Sequence, residues 1–150
     1  MEYDIENDFW TPVEVKTDRI YLAFSRTVYL PNQDMIVLGG MDDSVPSKPI
    51  FTERALLIQE VPVNSYDNIY VQSTLSPMVI GRGCFAAIYH EGYVWAFGGV
   101  NYVDKVIRKC ERYSVEADTW KRIPDMVTPR KNASACALSS DTIYIFGGTS

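Results

Sequence analysis

Short apolar runs that each end in a pair of glycines recur along this chain of 150 residues. The runs "DMIVLGG", "YVWAFGG" and "TIYIFGG" close at Gly39-Gly40, Gly98-Gly99 and Gly147-Gly148. Their residues are mostly β-branched or aromatic, and a polar turn such as Glu91-Gly92 precedes them. This pattern predicts the second strand of a β-hairpin in each case. We therefore expect an all-β chain, in which only residues 47–60 leave room for a helix.

The glycine pairs belong to an internal repeat. Their first members lie 59 and 49 residues apart, and the seventeen residues that end at each pair align without a gap: "FSRTVYLPNQDMIVLGG", "GCFAAIYHEGYVWAFGG" and "NASACALSSDTIYIFGG". A second element also recurs, because "YDIENDFW" at Tyr3 to Trp10 matches "YSVEADTW" at Tyr113 to Trp120. Two hairpins in each repeat predict units of four antiparallel strands.

These residues resemble the kelch-repeat β-propellers, in which an apolar strand ending in Gly-Gly is followed by a tyrosine and, about seven residues later, a tryptophan. The match is fullest around Glu111, Tyr113 and Trp120. The resemblance implies four-stranded antiparallel blades around a central axis. The residues expected to build the blades rather than a site are Gly39, Gly40, Gly98, Gly99, Gly147, Gly148, Tyr3, Trp10, Glu111, Tyr113 and Trp120.

The repeat boundaries predict an incomplete propeller. We expect a half-blade at about 1–15, blades at about 19–76 and 82–125, and a half-blade at about 131–150. The blade at 19–76 lacks the tryptophan, and Tyr70 is the candidate to replace it. Propellers close with about four to eight blades. The remaining blades are expected from the rest of a longer chain, the favoured explanation, or from a second copy that exchanges strands.

Charge and composition exclude several classes of partner. The net charge is −5 and no polybasic run is present, which argues against nucleic-acid or anionic-membrane binding. No apolar stretch approaches the length of a membrane span or a secretory signal, so we expect a cytosolic or nuclear protein. Cys84, Cys110 and Cys136 are widely spaced and odd in number, as expected of free thiols.

The sequence gives little support to an enzyme. Its one histidine, His90, falls in a predicted hairpin turn, and no grouping typical of a nucleophilic, acid–base or metal site is present. We therefore assign no catalytic, metal-binding or cofactor-binding residue. The resemblance leaves two alternatives to a binding role: part of a propeller enzyme, of the copper-oxidase or sugar-isomerase kind, with its catalytic residues elsewhere, or a structural subunit of a larger assembly.

A protein or peptide partner is the favoured function, because propeller loops carry recognition residues. The resemblance implies a substrate-recruiting adaptor or cytoskeletal scaffold that binds through the loops after Gly-Gly and before the next innermost strand. Arginine and tyrosine make the strongest interface anchors. The candidate contacts are Arg82, Tyr102 and Arg130, followed by Lys131, Asn101, Asp42 and Asp43. The arginine cluster of acidic-peptide-binding kelch domains is not reproduced, since Ser25, Cys84 and Ala133 take those places.

Overall fold

The computed structural model describes residues 2–11, 15–16, 22–42, 50–62 and 68–150. Throughout these ranges the regular structure consists of β-strands, which confirms the predicted all-β fold; strands also occupy the part of 47–60 that is described. The strands are β1 (Glu2–Asp4), β2 (Phe9–Thr11), β3 (Val15–Lys16), β4 (Leu22–Ala23), β5 (Arg26–Tyr29), β6 (Met35–Leu38), β7 (Met41–Asp42), β8 (Ile50–Phe51), β9 (Ala55–Pro62), β10 (Asn68–Thr74), β11 (Ala86–His90), β12 (Tyr93–Phe97), β13 (Val100–Asn101), β14 (Lys105–Val106), β15 (Cys110–Ser114), β16 (Thr119–Ile123), β17 (Lys131–Ser139) and β18 (Thr142–Thr149).

The second blade is a four-stranded antiparallel sheet of order β11-β12-β15-β16, as predicted. A two-residue turn, Glu91-Gly92, joins its first two strands with positive φ at both residues, the geometry that suits the twist of a hairpin. Along β12, Val94 and Ala96 are fully buried while the alternate residues are partly exposed. This alternation assigns one face of the blade to a closed interface.

The first blade differs from its prediction by one strand. Its sheet has the order β3-β10-β9-β6-β5, and β3 pairs with β10 in parallel. Val15 and Lys16 therefore pair with the outer strand of this blade. Tyr70 lies on the outer strand β10 opposite Glu60, whereas Trp120 in the second blade lies opposite Tyr113. Across β9, Tyr70 thus faces a glutamate where Trp120 faces a tyrosine.

Two hairpins flank these blades. The N-terminal hairpin, β1–β2, and the C-terminal hairpin, β17–β18, each form a two-stranded antiparallel sheet within the described residues. Two small sheets, β4-β7-β8 and β13-β14, include strands from the stretches that follow the first two glycine pairs, which were expected to be loops. The backbone after each of the first two glycine pairs is therefore held by strand pairing.

The hydrophobic core lies between the first and second blades. The buried cluster draws on both sheets and on the segment between them; its members are Val28, Leu30, Ile36, Leu38, Ala55, Met78, Phe85, Val94, Ala96 and Tyr113. Phe85 is 0% exposed, and its carbonyl accepts a hydrogen bond from Arg26 Nε at 2.7 Å. The core thus fixes the two blades against each other.

A chain of hydrogen bonds connects the repeats beside the innermost strands. Cys84 N–H donates to Phe24 O at 3.0 Å, and Asn132 N–H donates to Cys84 O at 2.7 Å. All three residues have left-handed φ angles, between 55° and 62°. They are equivalent positions, so the ungapped alignment, which placed Gly83 opposite Phe24, is wrong by one residue. The equivalent of Ser25 and Ala133 is consequently Phe85 rather than Cys84.

Candidate functional site

Arg82, the first of the predicted partner contacts, is completely buried. Its Nη1 donates to Gly98 O and to Lys109 O, both at 2.7 Å, and its Nη2 lies 2.8 Å from Glu111 Oε1. Both side chains of the ion pair are 0% exposed. The prediction of an exposed anchor at Arg82 is therefore wrong, because the guanidinium ties the innermost segment of the second blade to its third strand.

Glu111 is held from two directions. Its second oxygen, Oε2, accepts a hydrogen bond from Val79 N–H at 2.7 Å. Burial raises the pKa of Glu111 and lowers that of Arg82, and the attraction between the two charges opposes both shifts. Such a pair is tolerated in a protein interior when further hydrogen bonds hold both ions, as they do here except at Arg82 Nε, which has no partner among the described residues. Both residues thus build the blade.

Tyr102 and Asn101 lie in the β13–β14 hairpin: Asn101 ends β13, and Tyr102 begins the turn. Asn101 Oδ1 accepts hydrogen bonds from Val103 N–H at 3.1 Å and Asp104 N–H at 2.7 Å, which orders the turn. The Tyr102 side chain is 55% exposed, and its ring centroid lies 4.8 Å from that of Phe51. The loops that follow two successive glycine pairs therefore meet at this aromatic contact.

Three aromatic residues, Phe24, Phe51 and Tyr102, form what we call the aromatic patch. A Cβ at Gly83 would stand 2.7 Å from the Phe51 ring and 3.3 Å from Phe24 Cβ, so both phenylalanines lie against this glycine. Phe24 is 54% exposed and Phe51 is partly exposed. Neither phenylalanine was predicted from the sequence, although each is an aromatic residue directly beside a glycine-pair loop or an innermost strand.

The remaining predicted contacts that the structure describes lie in two places, beside the patch and at the C-terminal hairpin. Asp42 lies on β7 beside the strand that carries Phe51, and its carboxylate is 3.5 Å from Arg54 Nη2. Arg130 and Lys131 are partly exposed and lie at the start of the C-terminal hairpin; Arg130 Nη1 donates to Gly147 O at 2.8 Å. Asp43 lies outside the described residues.

In the second blade, the turn that contains Glu91 and Gly92 lies at the end of the strands opposite to the glycine pair. His90 closes β11 and is followed by the turn into β12, whereas Gly98 and Gly99 follow the other end of β12. His90 Nε2 is 3.0 Å from Ser140 O in the turn of the C-terminal hairpin. In the part of the chain that the structure describes, no cluster of histidine, cysteine or carboxylate side chains is arranged to bind a metal ion.

Comparison with known proteins identifies the repeat. The model of the Kelch motif matches residues 81–127. "Kelch repeat and BTB domain-containing protein 2" of cowpox virus is 30% identical over 117 residues, 78% of this chain, and the F-box/kelch-repeat protein SKIP30 of Arabidopsis thaliana is 30% identical over 147 residues, 95% of this chain. The chain belongs to the kelch-repeat family.

The kelch relatives are longer proteins. This chain spans 19% of the cowpox protein and 40% of the Arabidopsis protein. The influenza virus NS1A-binding protein homolog of Xenopus laevis is 29% identical over 138 residues, which cover 91% of this chain and 20% of that protein. None of these three relatives is named for an enzymatic activity.

The kelch match also contains the buried ion pair. Residues 81–127 include both Arg82 and Glu111, together with the complete second blade. The four-stranded antiparallel sheet is that of a partial kelch propeller. Within the described ranges, no helix is long and apolar enough to cross a membrane.

Proposed function

We propose that this chain is a protein- or peptide-binding part of a kelch propeller, and that its partner docks on the aromatic patch. One observation carries the proposal: Phe24 and Tyr102 are each more than half exposed, although Phe24 O accepts a hydrogen bond from Cys84 N–H and the Tyr102 ring contacts Phe51. Exposed, preorganised aromatic rings are the usual anchors of protein interfaces, since they bury a large area at a small entropic cost.

The surroundings of the patch suit a mixed apolar and polar partner. Ile50 and Val103 are 49% and 87% exposed and extend the apolar surface along the two loops. Asp42, Arg54 and Asp104 supply both signs of charge nearby. An interface with an apolar centre and a polar rim has this composition.

An adaptor role is the specific form of binding that we favour. The cowpox relative carries a BTB domain by name and the Arabidopsis relative an F-box. By analogy with these relatives, we expect this kelch segment to present a recruited protein, while other regions of the assembly supply any further activity. The partner is expected to be a protein, and cytosolic or nuclear placement is part of the same proposal.

The test starts from a peptide library displayed on phage and selected against the intact chain. Affinities of the selected peptides are then measured by calorimetry for three variants. Tyr102→Ala and Val103→Asp should each weaken binding at least about tenfold. Tyr29→Ala is the matched control. Tyr29 is similarly exposed, at 62%, and it lies beside the hairpin turn, at the end of β5 that is farther from the aromatic patch.

Two results would contradict the proposal. Equal losses for Tyr29→Ala and Tyr102→Ala would move the binding surface away from the patch. A drop in the thermal midpoint of Tyr102→Ala that accounts for the lost affinity would make Tyr102 a packing residue.

A further inference from the structure

Ser76 links the first blade to the turn between β15 and β16 of the second blade. It lies in the segment that runs from β10 to β11, and Pro77 follows it. Ser76 N–H donates to Asp118 Oδ1 at 2.9 Å, and the Ser76 hydroxyl donates to Asp118 Oδ2 at 3.1 Å. Ser76 O accepts a hydrogen bond from Trp120 Nε1 at 2.9 Å. We call these three bonds the serine clasp.

The serine clasp is built on a carboxylate that no cation neutralises. Asp118 also accepts a hydrogen bond from the Tyr113 hydroxyl at 2.7 Å. The bonds from Tyr113 and Ser76 lower the pKa of Asp118, so the carboxylate is charged at pH 7. In the part of the chain that the structure describes, no lysine or arginine forms an ion pair with Asp118, and the same turn carries Glu116. A further negative charge at the clasp would therefore be repelled.

Ser76 also lies where a modifying enzyme can reach it. It is only partly buried, its neighbour Pro77 is exposed, and residues 75–82 belong to no strand. A residue before proline favours an extended backbone, and Pro77 has no N–H with which to pair. An extended serine followed by proline is the form of substrate that proline-directed protein kinases phosphorylate.

A phosphate on Ser76 would open the clasp. The hydroxyl hydrogen that Asp118 accepts would be lost, and the phosphate would add a charge of about −1.5 to −2 at pH 7. Phosphate oxygens and carboxylate oxygens both accept hydrogen bonds, so neither group could donate to the other. Repulsion would move Ser76 away from Asp118, and the bond from Trp120 to Ser76 O would be lost with it.

We propose that Ser76 is a phosphorylation site whose modification loosens the closed interface between the two blades. A proline-directed serine/threonine kinase supplies the phosphoryl group from ATP. The bond from Ser76 Oγ to the γ-phosphorus forms, the bond from that phosphorus to the ADP oxygen breaks, and the hydroxyl proton passes to the catalytic base of the kinase. The clasp lies between two blades of this chain and does not involve the aromatic patch, so the proposal goes beyond the proposed function.

Two other serine- or threonine-proline pairs occur in the sequence, Thr11-Pro12 and Thr128-Pro129. Thr128 is exposed and lies in the segment that follows the second blade, two residues before Arg130. A phosphate there would have a cation two residues away, whereas one on Ser76 would face the Asp118 carboxylate. Thr128 is therefore the matched control site.

The test uses the intact chain with Thr11→Val and Thr128→Val, so that Ser76 is the remaining proline-directed acceptor. The folded protein is incubated with a proline-directed kinase and magnesium ATP, and mass spectrometry locates the phosphate, which we expect on Ser76. Phosphorylation should lower the thermal midpoint by at least about 3 °C, and phosphatase treatment should restore it.

A second measurement follows the clasp itself. Hydrogen exchange of the Trp120 indole N–H should become at least about tenfold faster in the phosphorylated protein, because its acceptor on Ser76 moves away. The indole N–H of Trp95, which donates to His90 O within the second blade, should exchange at an unchanged rate.

Two variants separate the effect of the clasp from that of added charge. In Asp118→Asn the neutral amide can donate to the phosphate, so phosphorylation should shift the midpoint by less than half as much. A chain with Thr11→Val and Ser76→Ala, phosphorylated on Thr128, should keep its midpoint within about 1 °C.

Several outcomes would overturn the proposal. One is a folded chain that takes up no phosphate on Ser76 under conditions that modify a peptide with the sequence of residues 70–82. The others are an unchanged midpoint after phosphorylation of Ser76, an equal shift in Asp118→Asn, and equal acceleration of exchange at Trp95 and Trp120. Tyr102→Ala should show the same response to phosphorylation as the unaltered patch, so this proposal and the proposed function fail independently.

Discussion

The two faces of the second blade differ in how much of a neighbour covers them. The face turned to the first blade contains Val94, Ala96 and Tyr113, each at most 1% exposed. On the other face, Tyr93 and Trp95 are only partly buried, and the Arg112 guanidinium lies over their rings, 4.4 and 5.3 Å from the centroids. One sheet thus has a closed interface and an open one.

The same contrast appears between the two copies of the Tyr-Trp hairpin. Tyr113 is 1% exposed, and Trp120 Nε1 donates to Ser76 O of the segment between the blades at 2.9 Å. Tyr3 and Trp10 make the same internal contact, yet they are 41% and 61% exposed. The local motif therefore forms the hairpin, while burial requires the neighbouring blade.

The largest expected effect comes from the buried arginine. Arg82→Met should lower the free energy of unfolding by about 3–5 kcal/mol, because it leaves Glu111 as an unpaired buried charge. Arg130→Met is the matched variant at the C-terminal hairpin, where the arginine is partly exposed, and it should cost about 1 kcal/mol or less. Urea denaturation of both variants measures the difference. Similar losses at the two positions would mean that Arg130 contributes as much to stability as the buried Arg82.

The tryptophan pair sharpens the same comparison. Trp120→Ala should cost about 2–4 kcal/mol, less than a fully buried tryptophan, because its ring is partly exposed. Trp10→Ala should cost less than about 1 kcal/mol, as expected for an exposed side chain. The measurement is again the urea midpoint. A larger loss for Trp10 would show that the N-terminal hairpin is buried in solution against a surface outside this structure.

The first glycines of two repeats make a third pair. Gly98 and Gly147 have nearly the same left-handed φ, 61° and 65°, but a Cβ at Gly98 would lie 2.4 Å from Arg130 O, whereas one at Gly147 meets nothing within 4 Å. Gly147→Ala should therefore show only the backbone cost of about 1 kcal/mol. Gly98→Ala should cost about 1–3 kcal/mol more, since the clash is with backbone. Equal thermal shifts of the two variants would contradict this account.

The sequence predicted the features that depend on local pattern. Hairpin turns, glycine pairs and the alternation along β12 depend on residues that are close in sequence. These features identified the antiparallel blades. The burial of Arg82 was not predicted, because its partner Glu111 is 29 residues away and only the blade geometry unites them. One signal was present: Arg82 lies between Gly81 and Gly83, where a Cβ would collide with Phe51, as expected of a crowded segment.

The candidate site shows the same limit. Tyr102 was chosen for its place after a glycine pair, and the structure leaves it exposed. Its contact with Phe51 depends on the approach of two loops from successive blades, and no local pattern encodes that approach.

The one-residue error in the repeat alignment also has a physical cause. The hairpin of the second blade has one residue fewer between its innermost strand and its glycine pair than the other two hairpins have.

The smallest expected effect is a change in acid stability at the edge of the closed interface. Asp118 Oδ1 accepts hydrogen bonds from the Tyr113 hydroxyl at 2.7 Å and from Ser76 N–H at 2.9 Å, and Oδ2 accepts one from the Ser76 hydroxyl at 3.1 Å. These bonds, that of Tyr113 foremost, lower the pKa of Asp118. A carboxylate with a lowered folded-state pKa contributes stability above its unfolded value of about 3.9, and this contribution is lost as the pH falls through the folded value.

Asp118→Asn should therefore lower the thermal midpoint slightly at pH 7 and make its decline between about pH 5 and pH 3 shallower than in the unchanged chain. Asp8→Asn is the matched control, since Asp8 accepts the Tyr3 hydroxyl in the exposed N-terminal hairpin, and the midpoint at pH 7 should not move. Calorimetric scans across this pH range provide the measurement. An unchanged acid slope in Asp118→Asn would show that the link from Asp118 to Ser76 does not stabilise the closed interface, and the contrast between the two faces would then rest on apolar packing and the buried ion pair alone.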